Sequence, residues 1–320
     1  MHFMHSIPFK PMLPSLVSEI PTSSGWIYET KYDGYRCIAK WTESNVTLFS
    51  RNGHNLNSVF PEVAERLLSL TPSIRSFLPL VVDGELCILQ SPYKASFEPL
   101  QKRGRLKNPE KIQYFSKHTP STYVVFDMVH IRGETITDKP LSERKEMVSS
   151  LFDHLSDQLA KNDRIALVPS YTKSGPLWSH IKDENGEGII AKVSGSTYDP
   201  GARTKKWVKI KNPQKGVFFI TAYEKSNGFF HVAALEEEKP VLAGLFSNGI
   251  SPQERESLIQ VMKKNKVTED SRFITVSPSI CVELEYLEIY KHQLRHPRFV
   301  AFRFDVNWED CTWEKIFSRK

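Results

Sequence analysis

The sequence predicts an α+β protein of two domains, residues 1–212 and 213–320. Three observations carry that expectation. Short β-type runs alternate with a few helices over the first two thirds of the chain. A break rich in proline, glycine and polar residues, Asn212-Pro213-Gln214-Lys215-Gly216, interrupts the pattern. Beyond it the chain is strand-rich around a single helix, which suits a small β-barrel of the OB type. A length of 320 residues fits two such units and a sizeable core.

The elements follow in order. The first twenty-odd residues, rich in proline and polar side chains, read as an extended lead-in. Alternating apolar residues then predict strands at 26–29, 35–41 and 46–50, the last followed at once by the turn pair Asn52-Gly53. Pro61 occupies the first turn of a helix over 61–70, a position where its missing N–H costs nothing. A strand at 79–89 is read as interrupted by Asp83-Gly84, a turn signal. A buried strand at 123–130, a helix at 141–155 and strands at 187–193 and 206–210 complete the first domain. In the second, strands are expected at 217–224, 229–235, 241–246, 281–289 and 299–304. Ser251, Pro252 and Glu254 form a capping-box start for a helix over 252–264.

Composition narrows the function classes. Forty-three basic residues against 37 acidic ones give a net charge of +6, compatible with a polyanionic partner. Four cysteines (Cys37, Cys87, Cys281, Cys311) show neither Cys-x-x-Cys nor metal-ligand spacing, which points to a reducing, cytoplasmic setting. No apolar stretch approaches the roughly 18 residues of a membrane span. Met1-His2-Phe3-Met4-His5 lacks the charged and apolar regions of a signal peptide.

The chemistry centres on Lys31, in Glu29-Thr30-Lys31-Tyr32-Asp33-Gly34-Tyr35-Arg36. A lysine amine attacks phosphorus only when neutral. With a free pKa of about 10.4 it must be desolvated or set among other cations. Arg36, Lys209 and Lys211 are candidates for that cationic surround. In Trp207-Val208-Lys209-Ile210-Lys211, strand alternation puts both lysines on one face, where they can converge on one anion.

From about Trp26 to about Asp305 the chain resembles an ATP-dependent DNA ligase, close to the compact ligase modules of bacterial end-joining systems. The resemblance rests on six collinear blocks, the last matched only in part: Lys31–Arg36; Val81-Val82-Asp83-Gly84-Glu85-Leu86; Tyr123-Val124-Val125-Phe126-Asp127; Glu187-Gly188-Ile189-Ile190-Ala191-Lys192; Tyr198-Asp199-Pro200-Gly201-x-Arg203 running into Trp207–Lys211; and one in the second domain. Between the first two, Ser50-Arg51-Asn52-Gly53 matches a strand-end arginine. The partial match in the second domain lies in Arg295-His296-Pro297-x-Phe299 and Arg303-Phe304-Asp305.

The resemblance implies a nucleotidyltransferase (adenylation) domain followed by a C-terminal OB-fold. Lys31 would carry AMP as a phosphoramidate, after ATP is cleaved to pyrophosphate. Glu29 would accept from the exocyclic amine of adenine, a polarity that favours ATP over GTP. Arg36 would contact nucleotide or nick phosphate and Arg51 nucleic-acid phosphate. Phe126 would stack on adenine. Glu85, placed by the Asp83-Gly84 turn, and Glu187 would hold Mg²⁺ or Mn²⁺, which needs only one or two carboxylates beside substrate phosphates. Lys209 and Lys211 would grip the α-phosphate. Arg295 and Arg303 would close over the triphosphate as the second domain swings about residues 212–216. The family commonly has a basic residue after the aspartate; here Val306 stands, which shifts weight onto those two arginines. Phe97 and residues 100–103 are placed at the rim of the site.

The implied substrate is nicked or broken duplex DNA, bound by a monomer, with a Ku-type end-binding protein as a partner by analogy. Only about 25 residues precede the first block, so a minimal ligase core is expected. Two alternatives stay open: an RNA ligase or capping-type nucleotidyltransferase, and a non-catalytic nucleic-acid-binding protein.

Overall fold

The computed structural model describes residues 10–318, so the Met1–His5 reading lies outside the described residues. The chain divides into two compact units, Met1–Lys211 and Asn212–Lys320.

In the first unit β1 (Leu13–Leu16), β2 (Trp26–Thr30), β3 (Tyr35–Trp41), β4 (Val46–Ser50) and β5 (Leu80–Cys87) are followed by a small hairpin of β6 (Leu89–Ser91) and β7 (Lys94–Ala95). Then come β8 (Thr122–Ile131), β9 (Glu134–Thr135), β10 (Ile165–Leu167), β11 (Gly188–Val193) and β12 (Arg203–Lys211). The helices are α1 (Pro61–Leu70), α2 (Phe97–Gly104), α3 (Pro109–His118), α4 (Leu141–Leu155) and α5 (Ser174–Asp183). Two sheets result. One has the order β1-β12-β11-β2; the other runs β10-β8-β5-β3-β4, with β9 on β8. The lead-in is thus not merely extended: β1 pairs in parallel with β12.

The strand period decides what lies where. Along β3, Cys37, Ala39 and Trp41 join the largest core cluster with residues of α1 and α4, while Ile38 joins a second cluster with Met12, Val81, Val129, Leu141, Tyr198 and Trp207. Val208, Ile210, Ile189 and Ala191 turn the other way, onto Leu177 and Ile181 of α5. The faces of β11 and β12 that carry Ile190, Lys192, Trp207 and Lys209 are therefore left to line a pocket.

The strand expected to break at Asp83-Gly84 runs unbroken. Asp83 is fully buried opposite Ile38, and the register on the β8 side shifts between Asp83 and Gly84. Glycine is required there by space rather than by a turn. A Cβ on Gly84 would lie 2.6 Å from both the Tyr123 ring and the Val124 carbonyl oxygen. Gly34 is similar: a Cβ would meet the Leu86 oxygen at 2.3 Å.

The second unit holds β13 (Gln214–Glu224), β14 (Phe229–Glu236), β15 (Lys239–Phe246), α6 (Pro252–Lys264), β16 (Lys266–Glu269), β17 (Phe273–Val276), β18 (Cys281–Tyr286), a hairpin of β19 (Ile289–Tyr290) and β20 (Gln293–Leu294), β21 (Arg298–Phe302) and α7 (Trp313–Ser318). Its seven-stranded sheet runs β15-β14-β13-β17-β16, and β18 joins β13 to β21. The first half of β13 pairs with β18 and the second with β14 and β17, so one long strand serves two stretches of sheet around a core that includes Leu258 and Met262 of α6. This agrees with a C-terminal OB-type barrel. The capping box forms: Glu254 N donates to Ser251 Oγ at 3.2 Å, and Ser251 N to Glu254 Oε2 at 2.9 Å. The break expected through Gly216 is shorter, because Gln214, Lys215 and Gly216 already pair with Tyr286, Glu285 and Leu284. Backbone pairing overrides the local turn composition.

Candidate active site

Strand register assembles the site. Glu29 on β2 stands opposite Ile190 on β11, and Ile190 opposite Lys209 on β12. One step further, Lys31 N donates to Gly188 O at 2.9 Å, and Gly188 faces Lys211. Lys31 therefore sits at the open end of a cross-strand row, two residues from Glu29 on the same face. From the second sheet, Arg36 and Glu85 are direct partners on β3 and β5. Glu29, Lys31, Arg36, Arg51, Glu85, Phe126 and Lys209 all line one pocket of about 210 Å³. Lys211 is outside that lining. Glu187 is tied to it through Lys31, whose Nζ lies 2.5 Å from Glu187 Oε2.

At one end Glu29 is 2% exposed and held on both oxygens. Lys145 Nζ is 2.5 Å from Oε1 and Lys192 Nζ 2.6 Å from Oε2, while Ser170 Oγ donates to Oε1 at 3.1 Å. Burial raises the Glu29 pKa, but attraction from Lys145 and Lys192 outweighs it and leaves the carboxyl below its ordinary range. Burial acts the other way on Lys192 and lowers its pKa. That ammonium is also 4.3 Å from the ring centres of both Phe126 and Trp207, so its charge is met by a carboxylate and two aromatic faces.

At the other end Glu85 is raised to about 8, first by burial, which attraction to Arg36 and Lys31 only partly offsets; Glu187 and Asp83 push further upward. Lys209 is lowered by burial and then by Lys31, Arg203 and Lys211. Glu85 and Glu187 are thus two carboxyls within electrostatic reach of each other beside a cluster of amines. Among the described residues no group of three or more His, Cys, Asp or Glu side chains is placed to share a metal ion. The pair is a donor set that suits Mg²⁺ completed by substrate oxygens.

Several expected placements are corrected. Arg36, expected on phosphate, makes a two-pronged bond to Asp83 (Nε–Oδ1 2.5 Å, Nη2–Oδ2 2.6 Å) and donates to Met12 O at 3.1 Å. Tyr198 Oη donates to the same Asp83 at 2.6 Å and accepts from Met12 N at 3.1 Å. Asp83 is thus an internal hub for Arg36, not a turn. Arg36 also lies over the Phe126 ring at 4.6 Å, so that ring meets a second cation beside Lys192. Arg103 is not at any rim. It is 1% exposed, and its guanidinium binds Glu62 (2.5 and 3.0 Å), Thr119 O and Ser121 Oγ.

In the second unit, Arg295 pairs with Glu288 at 3.0 Å, and Arg303 with Asp305 at 2.7 Å. Val306 packs half-buried in an apolar cluster with Val217, Phe219 and Cys311, a setting that a basic side chain would not share. Sequence reasoning missed Lys145, the role of Lys192, and the fully buried Arg144–Asp127 pair (both contacts 2.9 Å). Lys192 stood inside a quoted block; nothing local marked Lys145.

A lysine amine between acidic groups, with a carboxylate and an aromatic ring at the far end of the same pocket, has the parts of a covalent nucleotidyltransferase. The chain belongs to the ATP-dependent DNA ligase domain family, whose model matches residues 11–211. The bifunctional non-homologous end joining protein LigD of Bacillus subtilis is 35% identical over 310 residues, which cover 95% of this chain and 51% of that protein. The chain spans about half the length of the curated relatives it matches. The ligase domain of M. tuberculosis LigD shares the fold at a TM-score of 0.53 and 21% identity, covering 95% of this chain and 98% of that one. A mycobacterial DNA ligase D solved with ATP and MES is alike at 0.53 and 20%, with the same coverage.

Proposed function

We propose that this chain is the catalytic core of an ATP-dependent DNA ligase that seals 5′-phosphate/3′-hydroxyl breaks in duplex DNA during repair. The observation that carries this reading is the placement of Lys31 one step beyond the Glu29–Ile190–Lys209 row, against Gly188, on the wall of one pocket with Glu85.

The Lys31 amine, once neutral, attacks the α-phosphate of ATP; an N–P bond forms and pyrophosphate leaves. The 5′-phosphate at the break then displaces Lys31, taking the AMP as a DNA-adenylate. The 3′-hydroxyl attacks that phosphate, its proton is lost to solvent, the phosphodiester closes and AMP leaves. Burial and the neighbouring cations Lys31, Arg203 and Lys211 lower Lys209. Lys209 and Lys211 stabilise charge on the transferred phosphate. Glu85 and Glu187 would hold Mg²⁺ or Mn²⁺, which supplies charge neutralisation at phosphate oxygens when bound. Glu29 and Phe126 receive adenine, and ATP is found bound in the related mycobacterial ligase D.

Residues 1–212 act as the adenylation domain and 213–320 as the OB-fold domain. Arg295 and Arg303 serve the triphosphate, and Arg51 the nucleic acid. Broken DNA ends and a Ku-type end-binding protein are the partners proposed by likeness to LigD. The test is self-adenylation with α-labelled ATP beside sealing of a nicked duplex. An acid-labile AMP adduct and a ligated strand are expected. A protein that forms no adduct refutes the reading, and sealing confined to RNA nicks redirects it to an RNA ligase.

A further inference from the structure

Lys145 lies on α4, outside every sequence block that marked the site. Its Nζ reaches Glu29 Oε1 at 2.5 Å and the Phe126 carbonyl oxygen at 3.3 Å. Glu29 belongs to one sheet of the unit and Phe126 to the other, so one ammonium spans both walls of the pocket behind its base-facing end. The helix under it is fixed. Arg144, the preceding residue, is fully buried, binds Asp127 with two prongs, and donates to Lys139 O at 2.6 Å and Ser196 O at 3.1 Å. Leu141 N donates to Ser196 O at 2.9 Å. Lys145 does not line the pocket itself, so it acts through Glu29.

We propose that Lys145 is a positioning residue for nucleobase choice: by tying Glu29 to the backbone of Phe126, it fixes a charged acceptor at a set distance from the aromatic face. This rests on the ligase reading above. The chemistry follows from the polarity of the two purines. Adenine offers a donor amine where guanine offers a carbonyl acceptor. A Glu29 locked as a carboxylate accepts from the first and repels the second. Without Lys145, the buried Glu29 keeps Lys192 as its charged partner among the described residues. It can then turn or take up a proton, and a protonated carboxyl donates to a carbonyl. Discrimination is lost while the phosphate end, with Lys31, stays intact.

The experiment measures self-adenylation of the whole chain with α-labelled ATP and GTP, resolving KM from kcat, for the wild type, Lys145→Met and Lys145→Arg. Lys145→Met is expected to raise KM for ATP about 10-fold and to lower the ATP-over-GTP ratio of kcat/KM by about the same factor. Its kcat on ATP should change less than KM. Lys145→Arg, which keeps the charge, should recover most of the ratio. A purely structural role would change thermal stability without moving the ratio. Should Lys145→Met fail to fold, the double variant Glu29→Gln/Lys145→Met removes both charges together. Its ratio must equal that of Glu29→Gln alone, because Lys145 then has no carboxylate to position. A folded Lys145→Met with the wild-type ratio overturns the proposal, as does a further change in the Glu29→Gln background. Absence of any Lys31-dependent adduct in the wild type overturns the ligase reading itself, an outcome separate from an adduct with an unchanged ratio.

Discussion

Glu29 and Glu85 are two glutamates on the walls of one pocket, the first buried and the second half-buried, and they shift in opposite directions. Burial raises both. At Glu29, Lys145 and Lys192 sit against the two carboxylate oxygens and reverse the effect. At Glu85, Arg36 is spent on Asp83 and Lys31 on Glu187, so burial wins and the carboxyl rises to about 8. Desolvation is common to the two sites; what differs is whether a cation is committed to the carboxylate or to its neighbour. The Glu29 end thereby holds one carboxylate against two ammoniums. The phosphate end keeps unspent acid and amine capacity, which is where a reacting phosphate and a dication would be accommodated.

Predictions that probe this contrast begin with the largest effect. Lys31→Ala should abolish labelling by α-labelled ATP while leaving the base end intact. Retained tight ATP binding in an equilibrium assay, with no covalent AMP, is the expected pair of results. Next, Lys192→Met removes a fully buried cation from a buried carboxylate. It should cost about 2 kcal/mol of stability by denaturant melts, because Glu29 keeps Lys145 and the Ser170 hydroxyl but its second oxygen loses its charged partner. Lys31 is partly exposed at its pair with Glu187, so Lys31→Ala should cost much less stability than Lys192→Met.

That difference also explains what could be read beforehand. Lys31 and Glu187, one residue beyond β2 and one before β11, were marked by their sequence blocks, whereas the shared face of Lys209 and Lys211 on β12 was legible from two-residue alternation alone. Which cation serves which carboxylate was not. Lys145 reaches Glu29 across 116 residues, and Arg36 finds Asp83 across 47. No periodicity encodes such pairings. Asp83-Gly84 has the composition of a turn, and only the approach of Tyr123 shows that the glycine clears space in a continuous strand. Gln214-Lys215-Gly216 has the composition of a linker and becomes strand because β18 offers it a ladder. The capping box of the OB-type helix is local and was readable, whereas α2, α3 and α5 were passed over although α3 has its own Asn108 cap.

The opposite shifts predict opposite pH slopes. Glu85 has a folded pKa near 8 against an ordinary value of 4.5, so the folded state binds the extra proton between those limits. Its contribution to stability is whole below about pH 4.5 and is lost as pH rises through 8, at up to about 1.4 kcal/mol per pH unit. Glu29 is lowered, so its contribution is present above 4.5 and lost as pH falls. Glu85→Gln should therefore flatten the stability profile on the neutral side, and Glu29→Gln on the acid side. Urea melts from pH 2 to 9 read both. Identical profiles for the two variants would remove the contrast drawn between the two ends of the pocket.

The smallest effect is expected at Arg51, which shares the pocket lining but is exposed in the turn after β4. Being solvated, its charge has no buried partner to strand, so Arg51→Ala should leave stability within about 0.5 kcal/mol of the wild type. If Arg51 serves the nucleic acid as proposed, its cation meets a phosphate that arrives with DNA. Self-adenylation should then stay within about twofold, while nick sealing falls about 10-fold and becomes more sensitive to added salt, as expected when one phosphate contact is lost. Loss of both steps together would make Arg51 part of the nucleotide site rather than its outer edge. It would also extend the uncommitted charge of the phosphate end out to the protein surface.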